Sequence, residues 1–97
     1  MYLIRDVFRC KPGKAKDLVA IFKNARPHME RMGVSGARVM TDSVSTYWTV
    51  VLELEVESMA AYEEILSGRQ ASPELGEIMK GYMDCVSGGH REIFKVE

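Results

Sequence analysis

Long hydrophobic runs are missing from this 97-residue sequence. No apolar stretch approaches the roughly 20 residues that a membrane-spanning helix needs. Arg5 and Asp6 interrupt the start of the chain too early for a secretory signal. We therefore expect a cytoplasmic protein that makes no use of a membrane.

An excess of one charge is missing as well. Thirteen Lys and Arg residues face fourteen Asp and Glu residues, which gives a formal net charge of -1. Binding to nucleic acid or to an anionic membrane needs concentrated basic side chains, so neither partner is expected. With 46% hydrophobic and 28% charged residues, the composition is typical of a globular chain, and residues 1–97 are predicted to form a single domain with one modest core.

Residues at metal-ligand spacing are also missing. Neither Cys10 nor Cys85 has a second Cys or a His at the spacing of a zinc or redox motif, so we expect two buried thiols in a reducing compartment. His28 and His90 have no Cys, Asp or Glu at such a spacing either. The chain lacks GxSxG, P-loop and GxGxxG motifs, and we predict no metal and no cofactor.

What the sequence does contain is a strongly patterned strand from Thr46 to Glu57, TYWTVVLELEVE. Alternation places an entirely apolar set on one face, which helices must cover: Trp48, Val50, Leu52, Leu54 and Val56. The other face carries Tyr47, Thr49, Val51, Glu53 and Glu55, which is too apolar at one end for a freely hydrated surface. A partner subunit or a ligand would explain that face.

The remaining elements follow from periodicity and from Gly and Pro positions. Residues 2–10 predict a strand, Leu18 to Met32 a helix, 37–41 a strand, 42–45 a hairpin loop, 59–67 a helix, 72–86 a helix and 90–96 a last strand. Pro27 lies inside the first helix, so we expect either a kink or a restart of the helix at Pro27. Ser87, Gly88 and Gly89 are predicted to end the last helix.

This order predicts an α+β, ferredoxin-like βαββαβ fold with a four-stranded antiparallel sheet and all helices on one face. We expect the first and third strands in the centre of the sheet, parallel to each other. The uncovered face would pair with a second copy of the chain, so we predict a homodimer.

VFRCKPGKAKDLVAIF, residues 7–22, resembles the opening of the dimeric α+β barrel superfamily, which includes antibiotic-biosynthesis-monooxygenase-like (ABM-like) and NIPSNAP-like proteins. YWTVVLELEVESMAAYEEIL, residues 47–66, is similar to their third strand and second helix. The resemblance implies a homodimer that closes two sheets into a barrel, with a pocket between sheet and helices in each subunit. Some members oxidise aromatic molecules without a metal or flavin, some degrade haem, and many have no known activity.

The haem-degrading branch does not fit this sequence. Its pattern is similar to an Asn on the first strand, a Trp closing the third strand and a His on the second helical region. Those positions fall on Asp6 and Val56 here, and residues 59–86 contain no His. We therefore expect no haem chemistry.

Asp6 is the most informative candidate, because a carboxylate flanked by Ile4 and Phe8 on one strand face is costly to bury without a partner. It is predicted either as a catalytic base in a pocket or as a structural carboxylate bonded to Tyr, Arg or a backbone N–H. Candidate ligand contacts, each with a structural alternative, are Trp48, Tyr62, Met29 and His28. Glu53 and Glu55 are interpreted as ionic partners of Arg5, Arg38 or Arg91 at a dimer seam, with paired carboxylates as the alternative.

Two functional hypotheses follow. The first is a homodimer that binds a small, largely apolar or aromatic molecule and acts as a cofactor-independent monooxygenase. The second is a non-catalytic, NIPSNAP-like dimeric module. An RNA-binding domain of the same topology is disfavoured, because Glu53 and Glu55 stand where basic and aromatic side chains would be needed.

Overall fold

The strands and helices follow the predicted order. The computed structural model describes residues 1–97. The strands are β1 (Tyr2–Cys10), β2 (Ser35–Thr41), β3 (Thr49–Val56) and β4 (Val86–Lys95), and the helices are α1 (Ala15–Arg31), α2 (Met59–Leu66), α3 (Pro73–Met79) and α4 (Tyr82–Cys85). One sheet in the order β2-β3-β1-β4 contains all four strands, and every neighbouring pair is antiparallel. The predicted ferredoxin-like α+β fold is confirmed.

The two central strands, β1 and β3, run antiparallel, so the prediction that they are parallel is wrong. The helical crossover through α1 returns the chain in the direction of β1, and the β2–β3 hairpin then reverses it. β3 therefore enters between β2 and β1 with the opposite direction to both.

The core lies between the sheet and its helices. Even-numbered residues of β1 and β3 point toward the helices, as alternation predicts. They form two adjoining apolar clusters, one around Ile4, Leu54 and Tyr62 and one around Leu18, Phe22 and Val50. Ile4, Leu18 and Val50 are fully buried. The helices thus cover one face of the sheet.

The predicted strand 46–57 begins three residues late. Tyr47 and Trp48 have left-handed backbone conformations, with φ of 64° and 52°, and belong to the β2–β3 loop. Asp42 accepts a hydrogen bond from the N–H of Thr49 at 3.0 Å, which fixes where the strand starts. Trp48 consequently does not join the helix-facing side of the strand and is 45% exposed.

α1 runs through Pro27 without interruption, so the predicted restart of the helix at Pro27 is wrong. Pro27 lies on the exposed side of α1, where the carbonyl that loses its N–H donor is open to water. Leu18, Phe22 and Ala25 form the buried side of the same helix.

The predicted helix 72–86 is two helices, because the chain turns at Gly81 with φ of 86°. Ser72 caps α3, its Oγ accepting a hydrogen bond from the N–H of Leu75 at 3.2 Å. β4 then begins at Val86 and not at His90, since Gly88 and Gly89 pair with Arg9 and Phe8 of β1. The two glycines are therefore part of the sheet.

The face of the sheet away from the helices carries a row of alternating charges. Across the four strands, Arg38 of β2, Glu53 of β3, Arg5 of β1 and Glu92 of β4 are register neighbours. Arg38 Nε donates to Glu53 Oε1 at 2.8 Å, and Arg5 Nε lies 3.7 Å from Glu53 Oε2 and 3.6 Å from Glu92 Oε1. The predicted ionic contacts of Glu53 with Arg5 and Arg38 are confirmed.

Candidate functional site

A cavity of about 240 Å³ lies between β1, β4 and the short helix α4. Its lining includes Asp6, Phe8, Tyr82, Met83, Val86 and Arg91. The turn at Gly81 places Tyr82 and Met83 over the sheet. Gly89, which pairs with the helix-facing Phe8, contributes no side chain to the wall that β4 forms, which leaves the space open. The result is a small, mainly apolar pocket with one ion pair in its wall.

Asp6 and Arg91 form that ion pair. They are register neighbours on β1 and β4, and both point toward the helices. Arg91 Nε donates to Asp6 Oδ1, and its Nη2 lies 3.4 Å from Oδ2, so the guanidinium reaches both oxygens. The side chain of Asp6 is only 13% exposed. Arg91 thus supplies the partner that a nearly buried carboxyl group needs.

Tyr62 of α2 lies beside this pair. The guanidinium carbon of Arg91 is 5.6 Å from the centre of the Tyr62 ring, within the range of a cation–π contact. Burial raises the pKa of Tyr62, and the nearby charge of Asp6 raises it further, while Arg91 acts in the opposite direction. The hydrogen bond to Asp6 also raises the pKa of Arg91. Three groups thus form one electrostatic unit at the edge of the core.

The structure brings two of the five predicted site residues together, Asp6 and Tyr62. Met29 packs within the core, between the two apolar clusters. His28 lies at the far end of α1, where Arg31 Nη2 is 3.0 Å from its Nδ1. Trp48 lies in the β2–β3 loop. Of the five, only Asp6 lines the cavity, and the ligand contacts assigned to Tyr62, Met29, His28 and Trp48 stay predictions.

Sequence reasoning missed Arg91 and Tyr82 as parts of this site. The alternation of His90 to Val96 shows that Arg91 faces the same side as Ile93, but the register with β1 decides that it meets Asp6. That register runs without a shift from Tyr2 to Arg9, and no local pattern in either strand fixes it. Tyr82 reaches the cavity only because the last helix is broken at Gly81.

The two cysteines are buried and unpaired, as expected. Burial raises the pKa of the Cys10 thiol, and the nearby thiol of Cys85 raises it further. No group of three or more His, Cys, Asp or Glu side chains is placed to hold a metal ion. No helix combines the length and the apolar character that crossing a bilayer requires.

The fold and the pocket define the class: a ferredoxin-like α+β sheet with a small cavity between strands and helices. No family model and no curated protein matches the sequence. Solved structures do match in fold. Protein Atu4242 from Agrobacterium tumefaciens is similar with a TM-score of 0.80 at 12% identity, covering 98% of this chain and 92% of that one.

Two further neighbours belong to the groups that the sequence resembles. An uncharacterized NIPSNAP domain protein from Burkholderia xenovorans has a TM-score of 0.77 at 13% identity, covering 100% of this chain and 95% of that one. A protein described as an antibiotic biosynthesis monooxygenase has a TM-score of 0.77 at 10% identity, covering 100% and 99%. These neighbours share the fold of ABM-like and NIPSNAP proteins with this chain.

Proposed function

We propose that the chain is a homodimer that binds a small aromatic molecule in the cavity beside Asp6 and oxidises it with O₂, without a cofactor. The observation that carries the proposal is the cavity itself. Phe8, Tyr82 and Met83 supply apolar and aromatic walls, and a single ion pair supplies polar groups. Its volume of about 240 Å³ suits a ligand of one or two rings.

Asp6 would act as the base. A carboxylate is a weak base, so this reaction needs a substrate with an acidic hydroxyl. Removal of that proton gives an electron-rich anion that reacts with O₂ at a ring carbon, forming a hydroperoxide. Loss of water leaves a carbonyl, so one oxygen atom enters the product and the other leaves in water with two hydrogens of the substrate. O₂ from solution is the only oxidant required.

The alternative is a non-catalytic dimeric module. The observation that favours it is that both carboxylate oxygens of Asp6 already contact Arg91. A carboxylate held in this way also fits the structural role that the sequence left open. The two proposals differ in one respect only, whether a bound aromatic molecule is consumed.

The homodimer is proposed from the sheet face away from the helices. Its row of alternating charges, Arg38, Glu53, Arg5 and Glu92, can meet the same row of a second copy with opposite charges in contact. Apolar side chains flank the row on both sides, Val51 and Val7 on one and Leu3 and Phe94 on the other. Phe94 is 51% exposed in the single chain, and apolar area of this kind favours association.

The test uses 1-naphthol, with 1-methoxynaphthalene as the analogue that has no acidic proton. We expect both to bind wild type, and only 1-naphthol to be converted to 1,4-naphthoquinone and water with one O₂ consumed. Asp6→Asn should retain binding within about twofold and lose oxidation about a hundredfold or more. Asp84→Asn makes the same charge change on α4 outside the cavity lining and should match wild type.

The outcomes separate the two proposals. Binding without O₂ uptake by wild type supports the non-catalytic module. Oxidation that survives in Asp6→Asn contradicts the role of Asp6. Failure of both naphthalenes to bind contradicts the cavity as a binding site for aromatic molecules.

A further inference from the structure

A second and larger cavity, of about 490 Å³, lies at one end of the uncovered face of the sheet. Of the side chains proposed above to meet a second copy, only Val7 also lines this cavity. It is bounded by the ends of β1 and β4 and by the β2–β3 loop. Only two of its ten lining residues are hydrophobic. This polar lining distinguishes it from the apolar pocket beside Asp6.

Arg9 is the cation of this cavity. It stands on β1 between Thr49 of β3 and Gly88 of β4, so neither strand neighbour is acidic. Arg9 forms no ion pair, in contrast to Arg5, Arg38 and Arg91. The closest carboxylate along the loop, Asp42, accepts the N–H of Thr49 and does not line the cavity. A guanidinium without a carboxylate partner in a polar cavity is suited to bind an external oxyanion.

Four hydroxyl side chains line the cavity together with Arg9: Ser45, Thr46, Thr49 and Ser87. The Ser87 hydroxyl donates to the carbonyl of Arg9 at 3.1 Å, and the Thr49 hydroxyl donates to the carbonyl of Tyr47 at 3.4 Å. Ser45 and Thr46 therefore carry the hydroxyls that can donate to a ligand. Two such donors in the same cavity as one guanidinium match the three terminal oxygens of a phosphate better than the two of a carboxylate.

The floor of the cavity is open because β4 has a glycine there. Gly88 pairs with Arg9, so a side chain at this position would point to the face that Arg9 occupies. A Cβ added at Gly88 meets no atom within 4 Å, whereas one added at Gly89 would lie 2.3 Å from the carbonyl oxygen of Val7. A larger residue at Gly88 therefore fills the cavity without a backbone clash.

We propose that this cavity binds the phosphate group of a small phosphate monoester, with Arg9 as its anchor and the hydroxyls of Ser45 and Thr46 as donors. The site is separate from the pocket beside Asp6, and its occupation does not depend on any oxidation. The test is an NMR titration of the intact protein with phenyl phosphate, inorganic phosphate, benzoate and benzyl alcohol.

We expect phenyl phosphate to shift the amide signals of residues 45–49 and 87–90, with benzoate weaker and benzyl alcohol without effect. Arg9→Gln should weaken phenyl phosphate binding about tenfold or more. Arg9→Lys, which keeps the positive charge, should lose less affinity for phenyl phosphate than Arg9→Gln. Lys23→Gln removes one positive charge from α1, away from the cavity, and should bind like wild type.

Gly88→Val should abolish the binding while the amide spectrum stays that of the folded protein. The proposal is overturned if phenyl phosphate does not bind at millimolar concentration, or if it shifts signals outside these two segments only. Equal affinity in wild type, Arg9→Gln and Gly88→Val would also overturn it. Inorganic phosphate binding as tightly as phenyl phosphate would show that the phosphate group alone is recognised, which supports the proposal.

Discussion

Asp6 shows how a strand pair can supply what a buried carboxylate needs. A charged group between Ile4 and Phe8 is unfavourable unless a partner compensates it. The partner, Arg91, comes from the edge strand β4, directly opposite in the register. Both charges then act on the pKa of Tyr62, because the guanidinium lies against its ring. A single pairing thus determines the electrostatics of the site.

Tyr62 predicts how stability depends on alkaline pH. Its pKa is raised in the folded protein, first by burial and then by Asp6. Folding therefore favours the protonated phenol, and this contribution is complete below the ordinary tyrosine pKa of about 10. It is lost as the pH rises through the raised pKa. Urea unfolding between about pH 9 and 12 should show a steeper loss of stability in wild type than in Tyr62→Phe.

Tyr47→Phe is the matched control, because Tyr47 is 80% exposed. Its pH dependence should follow wild type. Asp6→Asn should move the titration of Tyr62 to lower pH, since a negative charge is removed. If the stability of Tyr62→Phe falls with rising pH as steeply as that of wild type, this account is contradicted.

The residue types of the site could be predicted in part from sequence. Asp6 was identified from alternation alone, because a charged residue interrupts an apolar strand face. Its contact with Arg91 could not be predicted, since it joins residues 85 positions apart through a register that local pattern does not fix. Alternation along the strand predicts Trp48 on the core face, and the loop conformation of Tyr47 and Trp48 ends that alternation.

The β2–β3 hairpin is the element where local preference and structure differ most. Tyr47 and Trp48 are both strand-forming residues, and both adopt left-handed conformations there. Such a conformation costs a residue with a Cβ about 1–2 kcal/mol. The hydrogen bond from Thr49 N–H to Asp42 and the one from Cys10 N–H to Trp48 O hold the loop in place.

Replacement of Tyr47 by glycine should therefore not destabilise the protein. Relief of about 1 kcal/mol of backbone strain outweighs the roughly 0.5 kcal/mol lost to unfolded-chain entropy. Val44→Gly in the same loop, where Val44 is 95% exposed and has no positive φ, should cost about 0.5–1 kcal/mol. Urea unfolding measures both. If Tyr47→Gly lowers the free energy of unfolding by about 1 kcal/mol or more, the backbone of Tyr47 is not strained as argued.

Glu53 joins β2, β3 and β1 through its carboxylate. It is 4% exposed and contacts Arg38 and Arg5. Glu53→Gln should lower the free energy of unfolding by about 2 kcal/mol, because a neutral amide accepts weaker hydrogen bonds than a carboxylate and leaves two arginines without a negative partner. Glu57→Gln, at an exposed position without an ion pair, should stay within about 0.5 kcal/mol of wild type. Equal stability of the two variants would show that the charged row contributes little.

At the element level, regular segments were predictable and their junctions were not. β1 and α2 begin where the pattern predicts, since alternation and the cap at Ser58 are local signals. Gly88 and Gly89 predict a break in regular structure, but pairing with distant β1 makes them part of β4. The direction of β3 relative to β1 likewise depends on the whole connection and not on any segment.

The molecule as a whole has one covered and one uncovered sheet face. On the uncovered face, the charged row that includes Glu53 lies between apolar neighbours such as Val51 and Phe94. Val51 sits near the centre, next to Val7 and Met40. This arrangement underlies the proposed pairing with a second copy. In such a dimer, a charged residue at position 51 would contact either the same charge of the second copy or an apolar side chain. Either contact costs several kcal/mol.

The mass of the protein in solution tests this proposal most directly. Sedimentation equilibrium at micromolar concentration should give twice the 10.9 kDa of one chain for wild type. Val51→Glu should give the mass of one chain, while Val44→Glu, in the exposed loop, should remain a dimer. A wild-type protein that sediments as a 10.9 kDa monomer at that concentration would contradict the account.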